Sequence, residues 1–131
     1  MELGSLLEVS LYHDAATGAA MAELYEEVLG LREVARWPDG RALRLGDAVV
    51  LLFARERLAQ REGPIADHGS SGPGHACFTV AASDYEAWKQ RVADRVEVVH
   101  EHEWSAGRRS FYFRDPAGNL LEIADGDLWP S

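Results

Sequence analysis

Ser110-Phe111-Tyr112-Phe113-Arg114, then Asp115-Pro116-Ala117-Gly118-Asn119, then Leu120-Leu121-Glu122: this run decides how the rest of the chain is read. Its first part carries the alternation of a strand over Arg109 to Arg114, its middle is turn chemistry, and its last part opens another strand over Leu120 to Ala124. The second strand is apolar except at Glu122. Alternation turns that side chain away from Leu121 and Ile123, onto the opposite face. A carboxylate in the middle of such a strand is costly to bury unless it is paired or bound to a metal.

Upstream of the hairpin, Val96 to Trp104 reads as another strand, closed by Ser105-Ala106-Gly107. Before it, Ser83 with Glu86 three residues on is a capping-box signature, and Tyr85, Trp88 and Val92 give the helix that follows a buried stripe. Gly74 to Val80 alternates as a strand, with Ala76, Phe78 and Val80 on one face and His75, Cys77 and Thr79 on the other. This half is therefore β-α-β-β-β. The same order is legible nearer the start. Leu6 to Tyr12 alternates, placing Glu8, Ser10 and Tyr12 on the polar face, and Met21, Leu24, Tyr25 and Val28 make an amphipathic helix of Thr17 to Leu29 that Gly30 stops. Arg32 to Trp37, Arg41 to Leu45 and Ala48 to Phe53 are three strands separated by Pro38-Asp39-Gly40 and Gly46-Asp47. The chain is expected to be one α+β domain over 1–131, with a first module over about 6–54, a loop over about 55–73 and a second module over about 74–125. In each module a curved four-stranded sheet is covered by its helix on one face only, leaving the other for a partner or ligand.

Composition narrows the function. The formal charge of −9 repels phosphate backbones and anionic bilayers, so nucleic acid and membrane partners are not expected. The lone Cys77 cannot form an internal disulfide, and the start of the chain lacks the basic and apolar segments of a signal peptide; a cytoplasmic location is expected. Glu8, His75 and Glu122 stand on strands that would line one concavity, and two carboxylates with one imidazole suit a divalent ion with coordination positions left open.

Leu24-Tyr25-Glu26-Glu27-Val28-Leu29-Gly30-Leu31, Gly74-His75-Ala76-Cys77-Phe78 and the run from Ser110 to Glu122 together resemble the vicinal oxygen chelate superfamily, also called the glyoxalase, bleomycin-resistance and extradiol-dioxygenase superfamily. The resemblance spans essentially the whole chain. It implies paired βαβββ modules around a metal whose ligands come from the first strand of each module and from the final strand, which maps onto Glu8, His75 and Glu122. The first ligand is most often His in that family. With Glu8 there the set is harder, and Mn, Ni, Co or Zn stand beside Fe as the expected ion. The last strand of the first module offers only Val49, Val50, Leu51, Leu52 and Phe53, so no fourth protein ligand is expected. The resemblance also implies a homodimer in which modules pair across chains, with Glu8 meeting His75 and Glu122 either of its own chain or of the other; uncovered concave surface is a separate motive for two-fold association.

The implied activity is that of a metal-dependent enzyme acting on a small substrate by chelating two neighbouring oxygens, as a lyase, isomerase or dioxygenase, with Glu122 or Glu8 as a base when displaced from the metal and Tyr112 as a hydrogen-bond donor. Ser10, Tyr12, Phe53 and Trp104 would shape the pocket, although ordinary packing explains each of them equally well, and Tyr112 too. Arg109 and Arg114 read as solvated or packed against acidic residues, Cys77 as a small buried hydrophobe, and His13, His68, His100 and His102 as exposed bystanders. Two other functions compete. One is metal-free sequestration of a cationic drug, as in the bleomycin-resistance branch, which the acidic charge would suit. The other is fosfomycin modification, against which Glu101 and His102 stand where those enzymes carry a phosphonate-binding Lys.

Overall fold

The computed structural model describes residues 1–65 and 68–130, and two units divide the chain, Met1–Gly72 and Pro73–Ser131. In the first, the alternation begun at Leu6 becomes β1 (Glu8–His13), followed by a 3-10 turn (Ala15–Thr17), helix α1 (Gly18–Ala22), β2 (Arg32–Trp37), β3 (Gly40–Leu45) and β4 (Ala48–Ala54). The strand order is β1-β4-β3-β2. β1 lies parallel to β4, with Glu8 opposite Val49 and Tyr12 opposite Phe53, while β2, β3 and β4 form an antiparallel meander. A parallel first and last strand needs a crossover, which the helix supplies.

The helix expected over Thr17 to Leu29 changes pitch. After α1 it widens over Glu23–Val28, where Leu29 N–H donates to the Leu24 carbonyl five residues back and Leu31 N–H to that of Tyr25. Met21, Leu24, Tyr25 and Val28 are all buried, and Gly30 leaves the turn at φ +78°, the left-handed region. On the other face of the sheet, Ala42, Val49, Leu51, Phe53 and Leu58 form a second apolar cluster. β4 is therefore buried on both faces, which is why its sequence is apolar without alternation. Leu58 comes from α2 (Arg55–Leu58), a single turn inside the segment expected to be loop. Four residues are too few to show a helical period. Gly40 opens β3 where a Cβ would lie 2.6 Å from the Leu52 carbonyl oxygen and 2.8 Å from the Phe53 ring. Gly40→Ala is expected to lose about 1–3 kcal/mol by overpacking, read from the urea midpoint at unchanged slope.

The second unit repeats the plan: β5 (His75–Thr79), a 3-10 turn (Ala82–Asp84), α3 (Tyr85–Ala93), β6 (Val98–Glu103), a 3-10 turn (Ser105–Gly107), β7 (Arg109–Arg114) and β8 (Leu120–Ala124), in the order β5-β8-β7-β6. β5 runs parallel to β8, and Leu51 and Glu122 hold equivalent places, opposite Ser10 and Cys77. Phe111, Phe113, Leu121 and Ile123 make the buried face that meets Tyr85 and Val92 of α3, with the Tyr85 and Phe111 rings edge-on at 5.5 Å. The capping box is not formed. Ser83 is taken up by the 3-10 turn, Asp84 precedes α3 without a side-chain cap, and Glu86 reaches across to Arg109 at 2.7 Å instead. Among the described residues no helix is long and apolar enough to cross a membrane.

Candidate metal-binding site

Glu122 stands in the middle of β8, with Cys77 opposite on β5 and Tyr112 opposite on β7. It is 4% exposed. Its Oε2 lies 3.2 Å from His75 Nε2, and its Oε1 is buried without a hydrogen-bond partner. A buried carboxylate oxygen left unmatched is rare in folded proteins and marks a place where an ion or water belongs. The His75 ring is fixed from behind: Nδ1 lies 2.8 Å from the Leu120 carbonyl, which can only accept, so Nδ1 carries the proton and Nε2 faces the carboxylate. An imidazole held by one nitrogen and offering the other is the usual posture of a metal-ligating His.

The turn between β7 and β8 sets both groups. The buried Asp115 carboxylate accepts from the backbone N–H groups of Ala117 and Asn119, both at 2.9 Å, and from Asn119 Nδ2 at 2.8 Å. Asn119 Oδ1 in turn accepts the N–H of Gly74 at 2.7 Å, tying the residue before His75 to the turn that leads into Glu122. Gly118, at φ +86°, supplies the left-handed step that closes the turn.

Tyr112 is half-buried beside this pair, its ring stacked with that of His75 at 6.3 Å. Burial pushes its phenol above the ordinary range, Ser110 draws it back, and Glu122 raises it again, so the hydroxyl stays a proton donor at neutral pH. Cys77 departs from the expectation of a buried small hydrophobe. It is exposed, because alternation puts it on the face α3 does not cover; its partial desolvation, then the charge of Glu122, push the thiol up to about 12. It is a poor nucleophile there.

Glu8, Ser10, Tyr12 and Phe53 belong to the first unit, and His75, Trp104, Tyr112 and Glu122 to the second. Glu8 is exposed at the start of β1 and lines a cleft of about 770 Å³ together with Trp37, Phe53, Arg61 and His68. In this unit the Tyr12 ring stacks on Phe53 at 6.1 Å, and the Tyr12 hydroxyl meets His68 Nδ1 at 2.5 Å. Arg61 lies over the Phe53 ring and donates to Asp39 at 2.6 Å, which holds the Asp39 carboxyl below the usual carboxylate range. Ser10 is half-buried opposite Leu51, and Trp104 donates its indole N–H to Ser110 Oγ at 2.9 Å. Among the described residues no three His, Cys, Asp or Glu side chains gather to hold an ion; what the second unit offers is the His75–Glu122 pair.

Arg109 is packed against an acidic residue, Glu86, as well as the face of Tyr85, whereas Arg114 is exposed and donates to the Gly118 carbonyl. His13 is a correction. It is buried rather than exposed, with Nδ1 on the Asp14 carbonyl, because strand alternation carries it to the same side as Leu11. His68 and the pair His100 and His102 were legible only as polar residues; their ring contacts depend on register and loop path.

Paired βαβββ units with a carboxylate and an imidazole on the uncovered face define a class. The chain belongs to the Glyoxalase/Bleomycin resistance protein/Dioxygenase superfamily, whose model matches residues 16–123. Among similar proteins, the glutathione transferase FosA of Serratia marcescens is 36% identical over 107 residues, 79% of this chain and 70% of that protein. The crystal structure of a lactoylglutathione lyase from Agrobacterium tumefaciens is 34% identical with a TM-score of 0.89, covering 98% of each chain. The fosfomycin resistance protein FosX of Mesorhizobium loti, at 20% identity and a TM-score of 0.66 over 98% of this chain and 96% of that one, shares the fold. His75 and Glu122 fall within the matched residues and Glu8 precedes them.

Proposed function

We propose that this protein is a divalent-metal-dependent enzyme that acts on a small substrate through two neighbouring oxygens, with His75 and Glu122 holding the ion and Glu8 as third ligand. The observation that carries the reading is Glu122 Oε1, buried and unpartnered within reach of an exposed imidazole whose other nitrogen is already anchored. A bound divalent ion would supply Lewis acidity toward the substrate oxygens. The chain's own groups do the rest. His75 is kept in one tautomer by Leu120, the Asp115–Asn119 turn holds both ligands in place, and the Tyr112 hydroxyl stands on the same face as a proton donor. Glu8 or Glu122, whichever is displaced from the ion, would be the base for a substrate proton.

Two relatives above 30% identity are named for glutathione, one as a lyase and one as a transferase, so glutathione adducts of small aldehydes and glutathione with an electrophilic acceptor are the first substrates to screen. Sites shared across a homodimer fit the exposed apolar side chains Leu6, Leu7, Val34 and Leu45 of the isolated chain. Melting curves with Mn, Fe, Co, Ni and Zn test the reading. An ion present at about a hundred times its dissociation constant should stabilise the native protein by roughly 2.7 kcal/mol. No stabilisation by any of the five would favour the metal-free sequestering alternative.

A further inference from the structure

The face of the second sheet that carries Glu122 continues past the His75–Glu122 pair as a line of rings. Tyr112 lies opposite Glu122, His100 opposite Tyr112 and His102 opposite Ser110, so the four strands present these side chains on one side. From the His75–Tyr112 stack the series runs to His100 at 5.9 Å from Tyr112, to His102 at 5.9 Å from His100, and to Trp104 at 4.6 Å from His102. The register shift between Val98 and His100 puts the two imidazoles in phase with Tyr112. His100 and His102 are exposed, and Trp104 is 37% exposed. Its indole N–H is taken by the buried Ser110, so the indole offers its ring and no donor.

Charge is distributed the other way. Glu101 and Glu103 alternate onto the side of α3, where Glu101 pairs with Lys89. Arg109 is on that side as well, against Glu86. On the ring-bearing face, Arg114 sits at the far end of β7 beside the turn and donates to Gly118, and Arg108, whose carbonyl accepts the Trp104 N–H, donates to the Asp125 carbonyl at 3.1 Å. An edge strand needs only polar side chains to stay solvated. That requirement does not explain why every ring of β6 falls on the Glu122 face and every carboxylate on the other.

We propose that His100, His102 and Trp104 are the specificity-determining surface of this site, and that they take the flat, uncharged, aromatic end of a substrate whose oxygens chelate at His75 and Glu122. The inference rests on the metal reading above and names its substrate class. Stacked and edge-on ring contacts favour a planar π-system. A doubly charged group, a phosphonate above all, meets at the Trp104 end an Arg108 guanidinium already donating to the Asp125 carbonyl, on a chain of net charge −9.

The test is calorimetric titration of Mn-loaded full-chain protein with three hydroxamates that share the chelating head and differ in the tail: acetohydroxamate, 2-naphthohydroxamate and phosphonoacetohydroxamate. The naphthyl compound should bind at least about tenfold more tightly than acetohydroxamate, and the phosphonate no more tightly than it. His100→Ala with His102→Ala, both at exposed positions, should bring the naphthyl preference to within about threefold while leaving acetohydroxamate affinity unchanged; Trp104→Leu should lower it in part. A preference that survives the double substitution, or a phosphonate that binds most tightly, overturns the proposal. Failure of all three to bind the loaded native protein would instead remove the chelation reading itself, and this inference with it.

Discussion

Glu122→Met is expected to abolish cation binding and, in metal-free protein, to raise the melting temperature. The native side chain is almost completely buried, with one oxygen near His75 and the other without a partner. Leaving a buried polar group unmatched costs about 1–3 kcal/mol, and a side chain of similar volume without polar atoms removes that penalty. A gain of about 1–2 kcal/mol would move the midpoint by roughly 3–7 °C for a domain of this size. Scanning calorimetry of metal-free native and variant protein reads it directly. A lower midpoint would mean that Glu122 holds the fold together, and would contradict a ligand role for its buried oxygen.

The turn residue Asn119 should behave in the opposite way. Its amide donates to Asp115 Oδ2 and its Oδ1 accepts Gly74 N–H, and Asn119 is 1% exposed. Asn119→Ala strands both partners and is expected to lose about 2–4 kcal/mol in urea denaturation. Because Gly74 adjoins His75, the variant should also bind Mn more weakly at temperatures where it remains folded. Asp115→Ala should match it within experimental error, and the double variant should cost little more than either single one, since the two side chains act as a unit. Full additivity would show that they stabilise separate parts of the turn.

These two residues also show how far the chain can be read before it is folded. Alternation placed Glu122 and His75 on one face, and β2, β7 and β8 have the bounds that their turn residues mark. Strand periodicity is local, so it survives without tertiary information. The pitch change at Glu23–Val28 and the single turn of α2 were not legible, since both are fixed by what they pack against. The capping box failed for a related reason: Glu86 found a stronger partner in Arg109, from a strand far along the chain. His100 and His102 read in the sequence as exposed bystanders and Trp104 as a pocket residue, and only the pairing register and the shift after Val98 bring those rings into line with Tyr112. Exposure of Cys77 likewise follows from which face α3 covers, a fact of packing rather than of residue type. Glu8 is visible as a candidate ligand through the repeat of the module, and its place beside His75 and Glu122 is a proposal.

Elemental analysis of purified, unchelated protein, comparing the native chain with His75→Ala and Glu122→Ala, tests the central claim most directly. The account predicts about one divalent ion per chain in the native protein and loss of that ion in both variants. A native protein that stays metal-free after incubation with Mn, Fe, Ni, Co and Zn would contradict it.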